Sequence, residues 1–274
     1  MRQTRTYTNM DIYDSAQGRR SAILQLLKND SSVNVTELSK RFGVSEVTIR
    51  KDLRILKERK LLVRVHGGAI LGASSSVSEP AAEERHLNFK KMVNMREKEA
   101  IGRAAAKYIK NGDTILIDSG TTALEVVKNL QPFHDLTIIT NSITAMLEAI
   151  KYKRFNVILL GGTVRESSMS IVGPLAESNL KIFYCDKLFL GVDSFSLETG
   201  LSTPSVDEAS TNQVMISRAR EVIGVFDSSK VNKRALAFIA EVDKINTIVT
   251  DNNMPANVKR QLKSMKINVE TVIP

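Results

Sequence analysis

Cysteine, histidine and long apolar runs are scarce in this sequence, and each shortage removes a class of function. One cysteine, Cys185, excludes an intrachain disulfide. Three scattered histidines cannot join it in a zinc site, so no metal is expected. No apolar run approaches the roughly 18–20 residues of a membrane span. The opening Met-Arg-Gln-Thr-Arg-Thr-Tyr has no apolar stretch behind its charges, unlike a secretory leader. The expectation is a cytoplasmic chain with no membrane partner. Neither Gly-x-x-x-x-Gly-Lys-Ser/Thr nor Gly-x-Gly-x-x-Gly occurs, so nucleoside triphosphates and dinucleotides are unsupported and no cofactor is expected.

What is present is enough for two domains. The chain has 274 residues, 42% hydrophobic and 25% charged, which suits globular units of roughly 100–200 residues. The net charge of +9 is unevenly placed. Residues 1–72 hold fourteen lysines and arginines against seven acids, while the remaining 202 residues hold 25 against 23. A basic end on a near-neutral body suits a polyanion partner. Charge alone also fits an ordinary solvated surface.

Pattern separates these readings. From Arg19 to Lys28, Ala22, Ile23, Leu26 and Leu27 recur at helical spacing. Asn34 is placed to cap a second, short helix, with Glu37 positioned for a capping box. Gly43 ends that helix, and Ser45 caps a third, whose buried side is Ile49, Leu53 and Leu56. This is the order of a helix-turn-helix. Away from the apolar stripe the third helix carries Ser45, Glu46, Thr48, Arg50, Lys51 and Arg54. Short polar groups near its start suit base edges, and cations along its flanks suit phosphates. The β-rich run Leu61 to Val65, broken at Gly67-Gly68 and resumed at Ala69 to Leu71, reads as a wing carrying Arg64 and His66. The competing reading is a small helical subdomain with a solvated basic face.

Val44-Ser45-Glu46-Val47-Thr48-Ile49-Arg50-Lys51-Asp52-Leu53, followed by Arg64-Val65-His66-Gly67-Gly68-Ala69, resembles the signature of the DeoR family of bacterial sugar-metabolism repressors. The likeness covers residues 18–72 and implies a winged helix-turn-helix that binds a double-stranded DNA operator. Asp52, an acid amid cations, reads as an intramolecular partner for a neighbouring Arg or Lys. Residues 1–17 fall outside the likeness and read as a polar arm.

Ser74-Ser75-Ser76-Val77-Ser78-Glu79-Pro80 marks a linker, placed at residues 73–89. Residues 90–274 open with a charged, helix-rich stretch. Strand-like runs then alternate with helices: Thr114–Ile117, Thr137–Thr140, Asn156–Leu160, Lys187–Leu190, Val222–Phe226, Thr247–Thr250 and Asn268–Val272. Such alternation predicts an α/β domain with a mostly parallel sheet covered on both faces. Ligands of such sheets bind at the carboxyl ends of the strands. There the sequence places Asp118-Ser119-Gly120-Thr121-Thr122, Asn141, Gly161-Gly162, Asp193, Glu208 (near a helix start) and Lys230. The small residues and hydroxyls at 119–122 open a helix and suit an anion, or are an ordinary capped turn. Gly161 and Gly162 also fit plain turn devices, and Lys230 a surface lysine.

These stretches resemble, in order, the DeoR-family sensor domain, with Gly161–Ser170 and Phe189–Asn212 nearest its amino-sugar branch. The resemblance implies a fold similar to ribose-5-phosphate isomerase and a phosphorylated sugar as effector. Ser119, Gly120, Thr121 and Thr122 would hold phosphate, Lys230 would neutralise charge, and Asp118, Asn141, Asp193 and Glu208 would face sugar hydroxyls. The expected protein is a repressor of a carbohydrate-utilisation operon, not an enzyme, and a homodimer or homotetramer. The alternative is an isomerase-like enzyme with an accessory DNA-binding domain, using Asp193, Glu208 and Lys230 as acid, base and charge stabiliser.

Overall fold

The computed structural model describes residues 16–30, 32–59, 61–65, 67–71, 90 and 93–274. Two compact units divide the chain between Val93 and Asn94. The expected linker at 73–89, His66 and most of the N-terminal arm lie outside the described residues.

The first unit is built on helices α1 (Ala16–Asp30), α2 (Val35–Phe42) and α3 (Glu46–Glu58). Asn34 caps α2, accepting from the backbone N–H of Thr36 at 2.8 Å and of Glu37 at 3.4 Å. Gly43 ends α2 in the left-handed region at φ 64°, where a Cβ would be strained. Ser45 restarts the chain as the cap of α3, accepting from Thr48 N–H at 3.2 Å. Strands β2 (Leu62–Val65) and β3 (Gly68–Leu71) form the expected hairpin. A third strand, β1 (Ser32–Asn34), pairs antiparallel with β3 and was not anticipated, because three residues carry no readable alternation. Ile23, Leu27, Leu38, Ile49, Leu53 and Leu56 close the core.

One polar cluster crosses that core. Asp52 of α3 accepts from Arg19 Nε at 2.7 Å and Arg20 Nε at 2.9 Å, both on α1. Its partners lie 33 and 32 positions away rather than beside it on α3. Two of the fourteen N-terminal cations are therefore occupied internally.

The second unit opens with α4 (Met95–Ala106) and centres on a seven-stranded sheet. Its strands are β4 (Thr114–Ile117), β5 (Thr137–Thr140), β6 (Asn156–Leu159), β9 (Cys185–Leu190), β12 (Ala219–Val225), β14 (Thr247–Asp251) and β15 (Asn268–Val272). Their order is β15-β14-β12-β9-β4-β5-β6, and every neighbouring pair is parallel. All seven correspond to the runs read from the sequence. Each strand feeds two cores by alternation: Ile115 and Ile117 join one cluster and Leu116 the other, as do Phe189 against Leu188 and Leu190. Burial on both faces is why the central runs, such as Ile115-Leu116-Ile117 and Leu188-Phe189-Leu190, are continuously apolar, whereas the edge strand β15 reads Asn-Val-Glu-Thr-Val.

In the second unit, antiparallel strands lie outside that sheet, in the hairpin of β7 (Thr163–Arg165) with β8 (Ser170–Val172) and in a sheet of β10 (Ser194–Ser196), β11 (Gly200–Thr203) and β13 (Ala237–Ala240). Helices α5 (Thr121–Val127), α6 (Ile143–Ala149), α7 (Pro174–Leu180), α8 (Val206–Arg218) and α9 (Ala256–Ser264) complete the layers. Helix α4 packs closely on α5: a Cβ on Gly102 would lie 2.5 Å from Glu125 Cβ, so only glycine allows the approach.

The strand order decides where a ligand can sit. From β4 the chain builds outward through β5 and β6 on one side. It then returns to β9 and builds outward through β12, β14 and β15 on the other. The order reverses between β4 and β9, and at such a reversal the following loops diverge to opposite faces and leave a crevice at the strand ends.

Candidate functional site

Two surfaces carry the candidate chemistry, one in each unit. On α3, Ile49, Asp52, Leu53 and Leu56 face inward, which leaves Arg50, Lys51 and Arg54 exposed on the opposite side. Ser45 does the work of a cap, and its Oγ lies 2.9 Å from Thr48 Oγ1. Glu46 is a brace: it accepts from Thr36 Oγ1 of α2 at 2.7 Å and from Arg50 at 2.8 Å. Arg50 is thus held in place while still more than half exposed. Arg54 sits 3.8 Å from Glu58. Arg64 lies on β2, half-buried and opposite Ala69. Val47, passed over in the sequence, is 75% exposed in the first turn of α3. A lone apolar residue among polar ones gives no periodic signal, yet it is the kind of surface that meets a thymine methyl.

In the second unit, the loops after β4, β5, β9 and β12 gather at the carboxyl end of the sheet. Asp118 follows β4, with its carboxylate buried and accepting the N–H of Gly120 and of Gly191. Burial and the charge of Glu208 push its pKa up to about 7, against the pull of backbone donors at 119, 120 and 191. Ser119, Thr121 and Thr122 are each under 10% exposed. Helix α5 behind them has seven residues, so its dipole is short. An anion here depends on hydroxyls, amides and nearby cations.

Asn141 follows β5 and is almost fully buried, donating to Ile171 O at 3.3 Å. Its Oδ1 has no hydrogen-bond partner among the described residues. An unsatisfied buried acceptor is costly and marks a place where a donor would be favourable. Asp193 and Glu208 are brought together by Thr203, whose Oγ1 lies 3.2 Å from one carboxylate and 3.3 Å from the other. One hydroxyl proton serves two acceptors, so each is only partly satisfied by it. Glu208 also accepts from Ser170 Oγ at 3.2 Å and lies 3.7 Å from the Arg165 guanidinium.

Lys230 ends a short 3-10 turn after β12. Burial alone would raise Asp227, but the charge of Lys230, hydrogen bonds from Ser229 and Asn94, and Lys98 hold its carboxyl below the usual range. In the strand order β12-β9-β4, the segment ending at Lys230 follows β12 and the 118–122 loop follows β4, the two neighbours of β9.

Gly161 and Gly162 have local tasks. Gly161 donates to Asn179 Oδ1 of α7 at 2.9 Å. Gly162, at φ 154°, packs where a Cβ would meet Ile171 and Val172 at 2.8 Å. Sequence reasoning passed over Arg165, Ser170, Thr203, Asn94 and Lys98. No linear signal joins Asn94 to a partner 133 positions on, at 2.8 Å. No group of three or more His, Cys, Asp or Glu side chains among the described residues is arranged to hold a metal ion. None of the described helices is long and apolar enough to cross a membrane.

Comparison with known proteins finds two family matches: the DeoR-like helix-turn-helix domain over residues 19–75 and the DeoR C-terminal sensor domain over residues 93–252. The transcriptional repressor AccR of Agrobacterium fabrum is 36% identical over 242 residues, 88% of this chain and 92% of its own. The HTH-type transcriptional repressor CsqR of Escherichia coli is 34% identical over 251 residues, covering 92% and 94%. A lactose phosphotransferase system repressor of Staphylococcus epidermidis is 32% identical over 247 residues, covering 89% and 94%. Among solved structures, ribose 5-phosphate isomerase A of Methanocaldococcus jannaschii aligns over 52% of this chain and 56% of its own, at 20% identity and a TM-score of 0.39.

Proposed function

Since the chain belongs to the DeoR family of transcriptional regulators, we propose that it represses a carbohydrate-utilisation operon and leaves its operator when a phosphorylated sugar binds the crevice between β4 and β9. The observation that carries the reading is the reversal of strand order between those strands, with hydroxyls, an unsatisfied amide, two bridged carboxylates and a lysine on the surrounding loops. Ser119, Thr121, Thr122 and Lys230 take the phosphate, and Asn141, Asp193 and Glu208 take the sugar hydroxyls. Arg165 holds Glu208 in place. We assign residues 18–72 to DNA reading, 73–89 to the linker and 90–274 to sensing.

On the DNA side, Arg50, Lys51 and Arg54 meet phosphates, while Ser45, Thr48 and Val47 face the bases from the first turn of α3. Each chain has one reading head, so the working species is a homo-oligomer on repeated or palindromic half-sites in the cytoplasm. Sedimentation showing one monomer per operator would contradict this part.

The crevice is read as a binding site rather than a catalytic one. Glu208, the acid best placed to act as base, is tied to two hydroxyls and a guanidinium. Turnover of ribose 5-phosphate would overturn that assignment. The effector reading is tested by a thermal-shift panel of free and phosphorylated sugars, since a ligand specific for the folded state raises its stability. A phosphorylated sugar is expected to stabilise the protein and to release it from DNA selected in vitro, with roughly 5–150-fold coupling. Thr121→Asp places a negative charge, in a side chain of nearly the same size, against the phosphate and should abolish the response while DNA binding persists. A normal response from that variant, or from unphosphorylated sugar, sinks the pocket assignment.

A further inference from the structure

Asp118 is out of place in a crevice read as taking an anion. A carboxylate beside a phosphate repels it, and one serving sugar hydroxyls needs its lone pairs available. Its Oδ2 already accepts from Gly120 N–H at 3.2 Å and Gly191 N–H at 3.1 Å, with only 4% of the residue exposed. Oδ1 faces the Ser119 hydroxyl at 3.4 Å. Gly120 belongs to the loop after β4 and Gly191 to the loop after β9, so this one oxygen joins the two strands between which the order reverses.

The glycines make the junction possible. A Cβ on Gly191 would stand 3.1 Å from both Gly120 Cα and Asp118 Oδ2. On Gly120 it would stand 3.1 Å from Gly191 Cα and 3.3 Å from Asp118 Oδ2. Both separations are tighter than ordinary van der Waals contact, so the loops meet backbone to backbone because neither has a side chain there.

We infer that Asp118 is a positioning residue, a staple that sets the spacing of the β4 and β9 loops, and that it neither touches the effector nor needs its negative charge. The inference rests on the effector reading above. Both amides converge on a single oxygen, and an amide carbonyl can supply that oxygen as well as a carboxylate can. Burial and the neighbouring Glu208 make the charged form costly, so ionisation is a burden the staple carries rather than its means of action.

The test is calorimetric titration of the full chain with inorganic phosphate, ribose 5-phosphate and glucose 6-phosphate. Asp118→Ala removes the acceptor, and two lost hydrogen bonds should weaken every ligand the wild type binds by a common factor of about tenfold or more. Asp118→Asn restores one acceptor oxygen and should return those affinities to near wild type. Gly191→Ala disturbs the staple with Asp118 intact and should reproduce the parallel loss. If Asp118→Ala does not fold, the contrast between Asp118→Asn and Gly191→Ala decides the matter. A loss confined to sugar phosphates, with inorganic phosphate unaffected, would make Asp118 a sugar ligand and overturn the inference. So would an Asp118→Asn protein as weak as Asp118→Ala, or full affinity in Gly191→Ala. Wild-type protein that binds none of the three probes overturns the effector reading and the inference with it, whereas binding with the wrong variant pattern overturns the inference alone.

Discussion

Replacing Asp52 with alanine should loosen the DNA-reading unit while leaving the sensor intact. Asp52 and Arg19 have side chains only 4% and 8% exposed, whereas Arg20 is 21% exposed. Truncation leaves Arg19 as a buried cation without its partner, and removing one member of a buried pair costs about 3–5 kcal/mol. Arg20 lies nearer water and can recover part of its solvation, which places the expected cost at the lower end, about 3 kcal/mol. A unit of this size has only about 3–8 kcal/mol of stability in total, at roughly 0.05–0.15 kcal/mol per residue. The substitution therefore removes much of it. Hydrogen exchange resolved along the full-length chain gives the direct readout. Amides of Ile23 and Leu53 should exchange about a hundredfold faster, the factor that 3 kcal/mol represents. Those of Leu116 and Ile138 in the sensor sheet should not change. DNA affinity should fall as the open form becomes populated, with effector affinity unaltered. Exchange at Ile23 and Leu53 that stays at the wild-type rate would show that the Arg19–Asp52–Arg20 cluster contributes no net stability, and would refute the reasoning.

On the DNA side, Arg50→Ala and Lys51→Ala should each reduce the salt slope of log K by about one with the fold preserved, and Val47→Ser should relax discrimination at one A·T pair; unchanged slopes in titrations against salt would remove α3 from the interface. The raised Asp118 predicts a pH trend. Its folded pKa of about 7 lies above the ordinary 3.8, so the folded state holds a proton that the unfolded state releases, and that stabilising contribution is present below about pH 4 and lost as pH rises through 7. Asp227, lowered in the folded state, acts in the opposite sense at acid pH below this window. Melting temperatures from pH 5 to 8 should therefore fall more steeply for wild type than for Asp118→Asn, and parallel profiles would contradict the assignment. Gly102→Ala should cost about 1–3 kcal/mol by overpacking α4 against Glu125; a wild-type melting temperature would show that α4 and α5 separate freely.

Much of the architecture was legible because it depends on local chemistry. The caps at Asn34 and Ser45, the left-handed Gly43 and the stripe of Ile49, Leu53 and Leu56 are set by neighbours within a few positions. The central parallel strands could be read because burial on both faces demands near-continuous apolar runs, while the edge strand β15 carries Glu270 and Thr271 among its valines. The strand-end residues from Asp118 to Lys230 could be picked out for a similar reason, since polar and glycine positions interrupt those runs where loops begin. Strand order, pairing and partnership are long-range. Nothing in the linear pattern says that β9 returns beside β4 rather than beside β6, yet that choice places the crevice. Only the folded chain sends Asp52 to Arg19 and Arg20, sets Thr203 between Asp193 and Glu208, and brings one Asp118 oxygen to two glycine amides. The physical reason is one of range. Caps and periodicity express backbone hydrogen bonding and side-chain spacing over a few residues, whereas a buried charge takes whichever partner the packed core brings within hydrogen-bond distance, and here that partner lies tens of positions away.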